Sequence, residues 1–497
     1  MSNGKRKATA SGAESISIQH ESGRSFTDQP VGLFIGNEFV PSISGKTFPT
    51  YDPATGKEIA RVFEADVQDV DAAVSAAKIA FKGWSRTAPL QRGKLLFKLA
   101  DLIERDIDQL AAIESLDQGK PFNVARDDDL TQIINDIRYF AGFAEKIDGR
   151  VINIDTESHV YTRAEPFGVC GQIIPWNFPL MMFAKFAPAV ISGNTVVVKT
   201  SEKTPLSALK FCQLIVEAEF PAGVINVVSG FGSVAGNALA SHMDVRMIAF
   251  TGSTATGRRI MTAAAESNLK KVLLELGGKS PAIVFDDANL DAAAIQCTSG
   301  YSYNSGQVCC ASTRILVQES VHDSFVAKLK DTAKALQIGA AFDEKPDVGP
   351  IVDQIQFERV MGFLEAGKKE GARIAYGGHR VRDEGYFISP TIFTDVREDM
   401  KIVKEEIFGP VVCVSKFKTM EEAIEMANDT TYGLGASVYT TSLSTAHRMA
   451  SDIQAGTVWV NCSSMAGSAI PFGGFKQSGV GRDNGIEAIH EYTQIKA

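Results

Sequence analysis

Between residues 169 and 285 the chain repeats one pattern, a short and almost wholly apolar run followed by a longer stretch with helical spacing. After a first run starting at Val169 come Thr195-Val-Val-Val198, Val224-Ile-Asn-Val-Val228, Met247-Ile-Ala-Phe250, Lys271-Val-Leu-Leu274 and Ala282-Ile-Val-Phe285. A strand with one wet face alternates apolar and polar residues. These runs do not alternate, which is the mark of parallel strands covered on both faces by crossover helices. Leu206 to Glu219 reads as one such crossover, so residues 167–277 are expected to form a doubly wound nucleotide-binding domain. Upstream, Val70, Ala73, Val74, Ala77 and Phe81 form one helical stripe, and Leu95, Leu99, Leu102, Ile103, Leu110 and Ile113 continue the pattern in the next helix. At 497 residues the chain exceeds one ordinary core, so two or three domains are expected.

Two glycine-marked segments carry groups suited to covalent chemistry. Leu274-Glu275-Leu-Gly-Gly-Lys279 and Gly306-Gln-Val-Cys309 place a carboxylate and a thiol 309 − 275 = 34 residues apart. A thiol attacks as thiolate, and a free one ionises near pH ~8.5, so a nucleophilic Cys309 asks for a polarised pocket that lowers it. Gly277-Gly278 lets the backbone turn sharply after Glu275. Taken singly, each segment reads equally well as a buried core cysteine or a helix-capping glutamate. The third segment, Cys170-Gly-Gln-Ile-Ile-Pro-Trp-Asn177-Phe-Pro-Leu-Met182, is a buried strand entering a proline-bounded turn with one amide among apolar residues. An amide placed there is costly unless it has a partner or a task.

Several function classes are excluded. A net charge of −9 argues against a nucleic-acid partner. The seven cysteines, at 170, 212, 297, 309, 310, 413 and 462, contain no Cys-x-x-Cys, and the seven histidines are scattered, so neither a disulfide framework nor a metal site is indicated. The apolar stretch from Phe167 to Val198 is interrupted by Pro175, Asn177, Pro179, Lys185, Pro188 and Asn194, and reads as buried strands and a helix rather than a membrane span. Residues 1–25 lack an apolar run and read as a disordered tail. Glu14 and Glu21 fit a mitochondrial presequence poorly, so a cytoplasmic location is expected.

Two glycine patterns bear on nucleotide binding. Gly230-Phe-Gly232-Ser-Val-Ala-Gly236 misses the dinucleotide fingerprint because its third glycine arrives one residue late. Phe250-Thr-Gly252-Ser253-Thr-Ala-Thr-Gly257 ends a strand and opens a helix whose N-terminal amides suit a pyrophosphate, or simply a helix capped by Ser253 or Thr254.

With Val198-Lys199, Glu406-Ile-Phe-Gly-Pro410 and Pro471-Phe-Gly-Gly-Phe-Lys476 added, the motifs in this order resemble the aldehyde dehydrogenase superfamily from about Leu33 to the C-terminus. The resemblance implies an α/β fold with a Rossmann-like NAD domain over residues 26–146 and 167–277, a catalytic domain over 278–476, and a small β oligomerisation element over 147–166 and 477–497. It implies a homodimer or homotetramer. It also implies that Lys199 and Glu202 hold the adenosine ribose, that Ser253 contacts the pyrophosphate, and that Glu406 and Phe408 position the nicotinamide. Ile173, Pro175, Trp176, Gly232, Gly236, Phe250, Gly252 and Leu276 complete the implied cofactor site. A carboxylate on the ribose hydroxyls repels a 2′-phosphate, so Glu202 favours NAD over NADP, while Lys203 beside it tempers that preference.

By the same resemblance Cys309 attacks the aldehyde, Asn177 and a backbone amide hold the oxyanion, and Glu275 activates water against the thioester. Gly-Gln-x-Cys selects Cys309, leaving Cys310 as a packing residue. Phe178, Met182 and Phe472 line the implied substrate tunnel, with residues 463–469. Many members carry a bulky aromatic just before the lysine of the helix after the Asn segment; Phe183-Ala-Lys185-Phe186 lacks it, which leaves room for a larger aldehyde. Three readings stay open: an acid-forming NAD-dependent dehydrogenase, a CoA-acylating enzyme, and a non-catalytic, crystallin-like relative. Glu275 speaks against the second, and the intact Asn177, Glu275 and Cys309 set against the third.

Overall fold

A computed structural model describes residues 15–497. Five parallel strands form the middle of an eight-stranded sheet: β1 (Val169–Ile173), β2 (Thr195–Thr200), β3 (Ile225–Ser229), β4 (Val245–Thr251) and β5 (Lys271–Glu275), in the spatial order β5-β4-β1-β2-β3. All residues of β1, β2 and β3 are buried, the two-sided burial that their unbroken apolar runs require. Antiparallel strands close both edges, Gly479–Val480 against β5 and the Leu33–Ile35, Glu38–Val40 hairpin against β3.

A second, seven-stranded sheet holds the parallel strands β6 (Pro281–Val284), β7 (Arg314–Gln318), β8 (Thr391–Thr394), β9 (Val411–Phe417), β10 (Gly435–Tyr439) and β11 (Thr457–Val460) in the order β8-β9-β7-β6-β10-β11, with Arg373–Tyr376 antiparallel on β8. Four helices matter for the site: α1 (Ile107–Gln118), α2 (Thr254–Ser267), α3 (Leu290–Ser302) and α4 (Gln354–Lys369).

Three expectations need correction. Ser15–Gln19 pairs antiparallel with Ser25–Pro30, so the tail expected over residues 1–25 includes a strand; Ile18 and Phe26 face inward while their neighbours are exposed, an alternation that supports it, and residues 1–14 lie outside the described residues. The stripe from Leu95 to Ile113 belongs to two helices, Pro89–Arg105 and α1, because the chain leaves helical geometry at Asp106 (φ −102°, ψ 18°). The 477–497 segment is divided, since Gly479–Val480 joins the first sheet while Thr493–Lys496 pairs with Arg163–Pro166. The hairpin expected around residues 150–163 is present as Val151–Ile152 against Val160–Tyr161.

Candidate active site

From β1 the chain runs to β2 and β3 on one side, then returns to β4 and β5 on the other, so a crevice opens above the carboxyl ends of β1 and β4. Ile173 and Phe250 pair at those ends. β1 continues through Pro175 and Trp176 to Asn177, and β4 through Gly252 and Ser253 into α2. Ser253 does cap this helix, its Oγ accepting from the Thr256 amide at 3.3 Å. At the end of β2, Lys199 is 3% exposed with its ammonium 3.3 Å from Glu202, and burial lowers its pKa.

Lys203 does not turn toward Glu202. Its ammonium pairs with Asp353 at 2.7 Å and sits over the Trp176 ring, 5.2 Å from the centroid. The charge read from sequence as offsetting Glu202 is therefore already matched by a carboxylate just before α4. Beyond β3, Gly232 has open space where a Cβ would stand, and Gly236 is buried. Leu276, buried after β5, packs where α2 carries Gly257.

Glu406 and Phe408 come from the other sheet's side. Glu406 accepts from the Gly278 amide at 3.0 Å, and burial pushes its carboxyl up to about 7. A Cβ on Gly277 would displace that carboxylate from its present position. Phe408 has φ +58°, meets Trp176 edge-on at 5.2 Å, and its carbonyl accepts from Gln356 Nε2 at 2.8 Å. A partly exposed carboxylate, a buried lysine and the open N-terminus of a 14-residue helix fit a dinucleotide's ribose and pyrophosphate. Among the described residues no group of three or more His, Cys, Asp or Glu side chains could hold a metal ion.

Cys309 follows three successive left-handed residues after α3: Asn304 (φ +48°), Ser305 (φ +58°) and Gly306 (φ +70°). Gly278 has no room for a Cβ against the Cys309 carbonyl, so the strand carrying Glu275 can approach the cysteine turn. The Cys309 thiol donates to Glu275 Oε1 at 3.7 Å. Glu275 Oε2 is ion-paired with Lys185, whose ammonium also holds Asp483 at 2.7 Å and donates to Thr251 Oγ1 at 3.0 Å. Burial raises the Glu275 carboxyl while Lys185 opposes the rise.

The expectation of a thiol-lowering pocket is corrected here. The adjacent Cys310 thiol, burial and the Glu275 carboxylate push the Cys309 thiol well up. Carboxylates rather than cations face the sulfur, which favours the thiol over the thiolate and leaves Glu275 as its acceptor. Cys310 is 8% exposed and packs with Leu434 and Trp459.

Asn177 is 5% exposed, and its Nδ2 donates to the Gln307 carbonyl at 2.9 Å. Its own carbonyl accepts from Asn304 Nδ2 at 2.9 Å and from Lys120 Nζ at 3.2 Å. The turn after β1 is thus tied to the turn that presents Cys309.

A cavity of about 520 Å³ leads to Cys309 and Glu275, walled by Phe178, Met182, Phe472, Tyr303, Trp459 and Met465. Phe178 and Tyr303 stack at 6.4 Å. Phe183 and Phe186 are fully buried in the core and replace none of the missing aromatic wall; Lys185 between them lines the cavity. Sequence reasoning missed Lys185, Asp483, Lys120 and Gln356 as site residues. Lys185 gave a usable signal, because a lysine inside an apolar run must find carboxylates, but Asp483 lies 298 residues away.

The aldehyde dehydrogenase family model matches residues 39–497. An aldehyde dehydrogenase of Emericella nidulans is 57% identical over 471 residues, covering 94% of this chain and 95% of the relative. A mitochondrial aldehyde dehydrogenase of Homo sapiens is 49% identical over 497 residues, covering 99% and 96%. The NAD+ complex of the Bacillus cereus aldehyde dehydrogenase superposes with a TM-score of 0.93 at 48% identity, covering 94% and 95%.

Proposed function

The chain belongs to the aldehyde dehydrogenase family, and from that premise we propose that it oxidises an aldehyde to the carboxylic acid with NAD. The observation that carries this reading is the contact of the Cys309 thiol with Glu275 in the lining of a cavity of about 520 Å³, with the Asn177 amide on the cysteine turn. Glu275 takes the thiol proton and the sulfur adds to the aldehyde carbon. The new alkoxide is held by the Asn177 amide and a backbone amide at Cys309; a donor of this kind contributes on the order of 3 kcal/mol to the transition state. NAD, when bound, would be held by Lys199, Glu202, Ser253, Glu406 and Phe408 and would supply the hydride acceptor. Loss of hydride leaves a thioester on Cys309. Glu275 releases the thiol proton to solvent and then deprotonates water, which attacks the thioester carbon; the acid departs as Glu275 returns the proton taken from water to the sulfur.

Glu202 supports NAD over NADP, and the engagement of Lys203 with Asp353 removes the nearest compensation for a 2′-phosphate. We assign residues 26–146 and 167–277 to the cofactor domain, 278–476 to the catalytic domain, and 147–166 with most of 477–497 to oligomerisation. The exposed apolar side chains Val151, Ile154 and Ile495 (68%, 64% and 74% exposed) support a homodimer or homotetramer, which sedimentation checks. We place the protein in the cytoplasm, a reducing setting that suits seven free cysteines, with fractionation as the check.

The test is NADH formation across an aldehyde panel, with and without CoA. Free acid formed at a rate indifferent to CoA is the expected result. Acyl-CoA as the product would assign the chain to the acylating enzymes, and no NADH from any aldehyde would end the enzymatic reading.

A further inference from the structure

The most enclosed charged cluster of the first domain does not enter the mechanism above. Lys120, just past α1, has no exposed side-chain surface, and its ammonium lies 2.5 Å from Asp129 and 3.7 Å from Glu114, both of them 1% exposed. Burying three charges is expensive, and such a group is seldom worth its desolvation as a source of stability alone. The third neighbour of Lys120 is the active-site turn. Lys120 Nζ donates to the Asn177 carbonyl at 3.2 Å and sits 4.3 Å from the centre of the Phe178 ring. Glu114 Oε1 accepts from the Leu180 amide at 3.4 Å, so the cluster touches the 177–180 segment at three points.

We propose that Lys120 is a positioning residue for the oxyanion site: held between Glu114 and Asp129, its ammonium fixes the Asn177 peptide and so the angle at which the Asn177 amide meets the oxygen formed on Cys309. The inference rests on the dehydrogenase reading. The geometry is specific to that task. The same carbonyl accepts a second bond from Asn304, which Gln118 Nε2 holds in turn at 3.3 Å, and Asn304 begins the left-handed turn leading to Cys309. The amide and the sulfur are therefore aligned through one peptide group. A misplacement of about 1 Å at such a donor costs on the order of a hundredfold in rate.

The experiment separates alignment from folding. Removing Lys120 alone strands two carboxylates, so the main variant is Lys120→Met/Asp129→Asn. Glu114, pushed up to about 7 by burial, takes up a proton there. A second variant, Asn304→Gly, removes the other donor while keeping a left-handed backbone open to it. Two rates are measured on each: the NADH burst with aldehyde and NAD, and alkylation of Cys309 by iodoacetamide, which needs no oxyanion donor. The expected result is a burst slowed by about ten- to a hundredfold with alkylation within about twofold of wild type. A wild-type burst in both variants overturns the proposal, as does a parallel fall in burst and alkylation, the mark of a purely structural role. Wild-type protein that gives no burst with any aldehyde overturns the dehydrogenase reading and this inference with it.

Discussion

Cys309 and Glu275 are hydrogen-bonded across 3.7 Å, so nucleophile and base are in contact before an aldehyde enters. A thiol pushed well up by Cys310, burial and Glu275 is a poor nucleophile until that carboxylate takes its proton. Glu275→Gln should therefore slow the NADH burst as well as the steady rate, each on the order of a hundredfold. Rapid mixing with aldehyde and NAD checks this. A normal burst followed by slow turnover would confine Glu275 to the hydrolytic step.

Lys185 and Asp483 tune that base in opposite directions. Burial raises the Glu275 carboxyl, Lys185 lowers it and Asp483 raises it. Glu275 acts when deprotonated, so activity rises with pH through its pKa. Lys185→Met should move the acid limb of kcat/KM to higher pH, and Asp483→Asn should move it lower. Shifts of the same sign in both variants would separate this limb from Glu275.

Cofactor choice is a third test. A 2′-phosphate would bring about two negative charges against Glu202, with Lys203 already held by Asp353. Glu202→Gln should raise kcat/KM with NADP and lower it with NAD, and Asp353→Asn, by freeing Lys203, should narrow the ratio further. Equal use of both cofactors by wild type, or an unchanged ratio in Glu202→Gln, would remove Glu202 from ribose recognition.

The parts legible in sequence were those encoded locally. The runs that became β1 to β5 are apolar because both faces are covered, and Gly277-Gly278 and Gly306 stand where close approach or a left-handed backbone demands glycine. What escaped was encoded between distant residues. Lys185 and Asp483 meet only because Gly479–Val480 returns to the edge of the first sheet, and Lys203 finds Asp353 only through the start of α4. The direction of the Cys309 shift was missed in part for the same reason: Cys310 is its neighbour in sequence, but the burial and the Glu275 and Glu406 carboxylates come from other elements.

Asp117 tests the electrostatics away from the chemistry. It is fully buried in α1, accepting from Thr50 Oγ1 at 2.5 Å and from the Leu206 amide at 2.7 Å, and burial pushes it up to about 7. A folded pKa above the unfolded value near ~3.9 contributes stability below about pH 4 that is lost as pH climbs through about 7. Asp117→Asn can keep both contacts, because Thr50 Oγ1 can accept as well as donate. It should be more stable than wild type at pH 8 by on the order of 4 kcal/mol, with the advantage vanishing near pH 4. Denaturant midpoints at the two pH values measure it; a variant less stable at pH 8 would show that the carboxylate is held ionised.

The central claim is that Cys309 carries the acyl group. Protein mixed with an aldehyde and NAD, quenched in acid within the burst and weighed by mass spectrometry, should gain one acyl group in wild type and in Cys310→Ala, and none in Cys309→Ala. An acyl adduct that persists in Cys309→Ala and disappears in Cys310→Ala would contradict the assignment of the nucleophile and the geometry built around it.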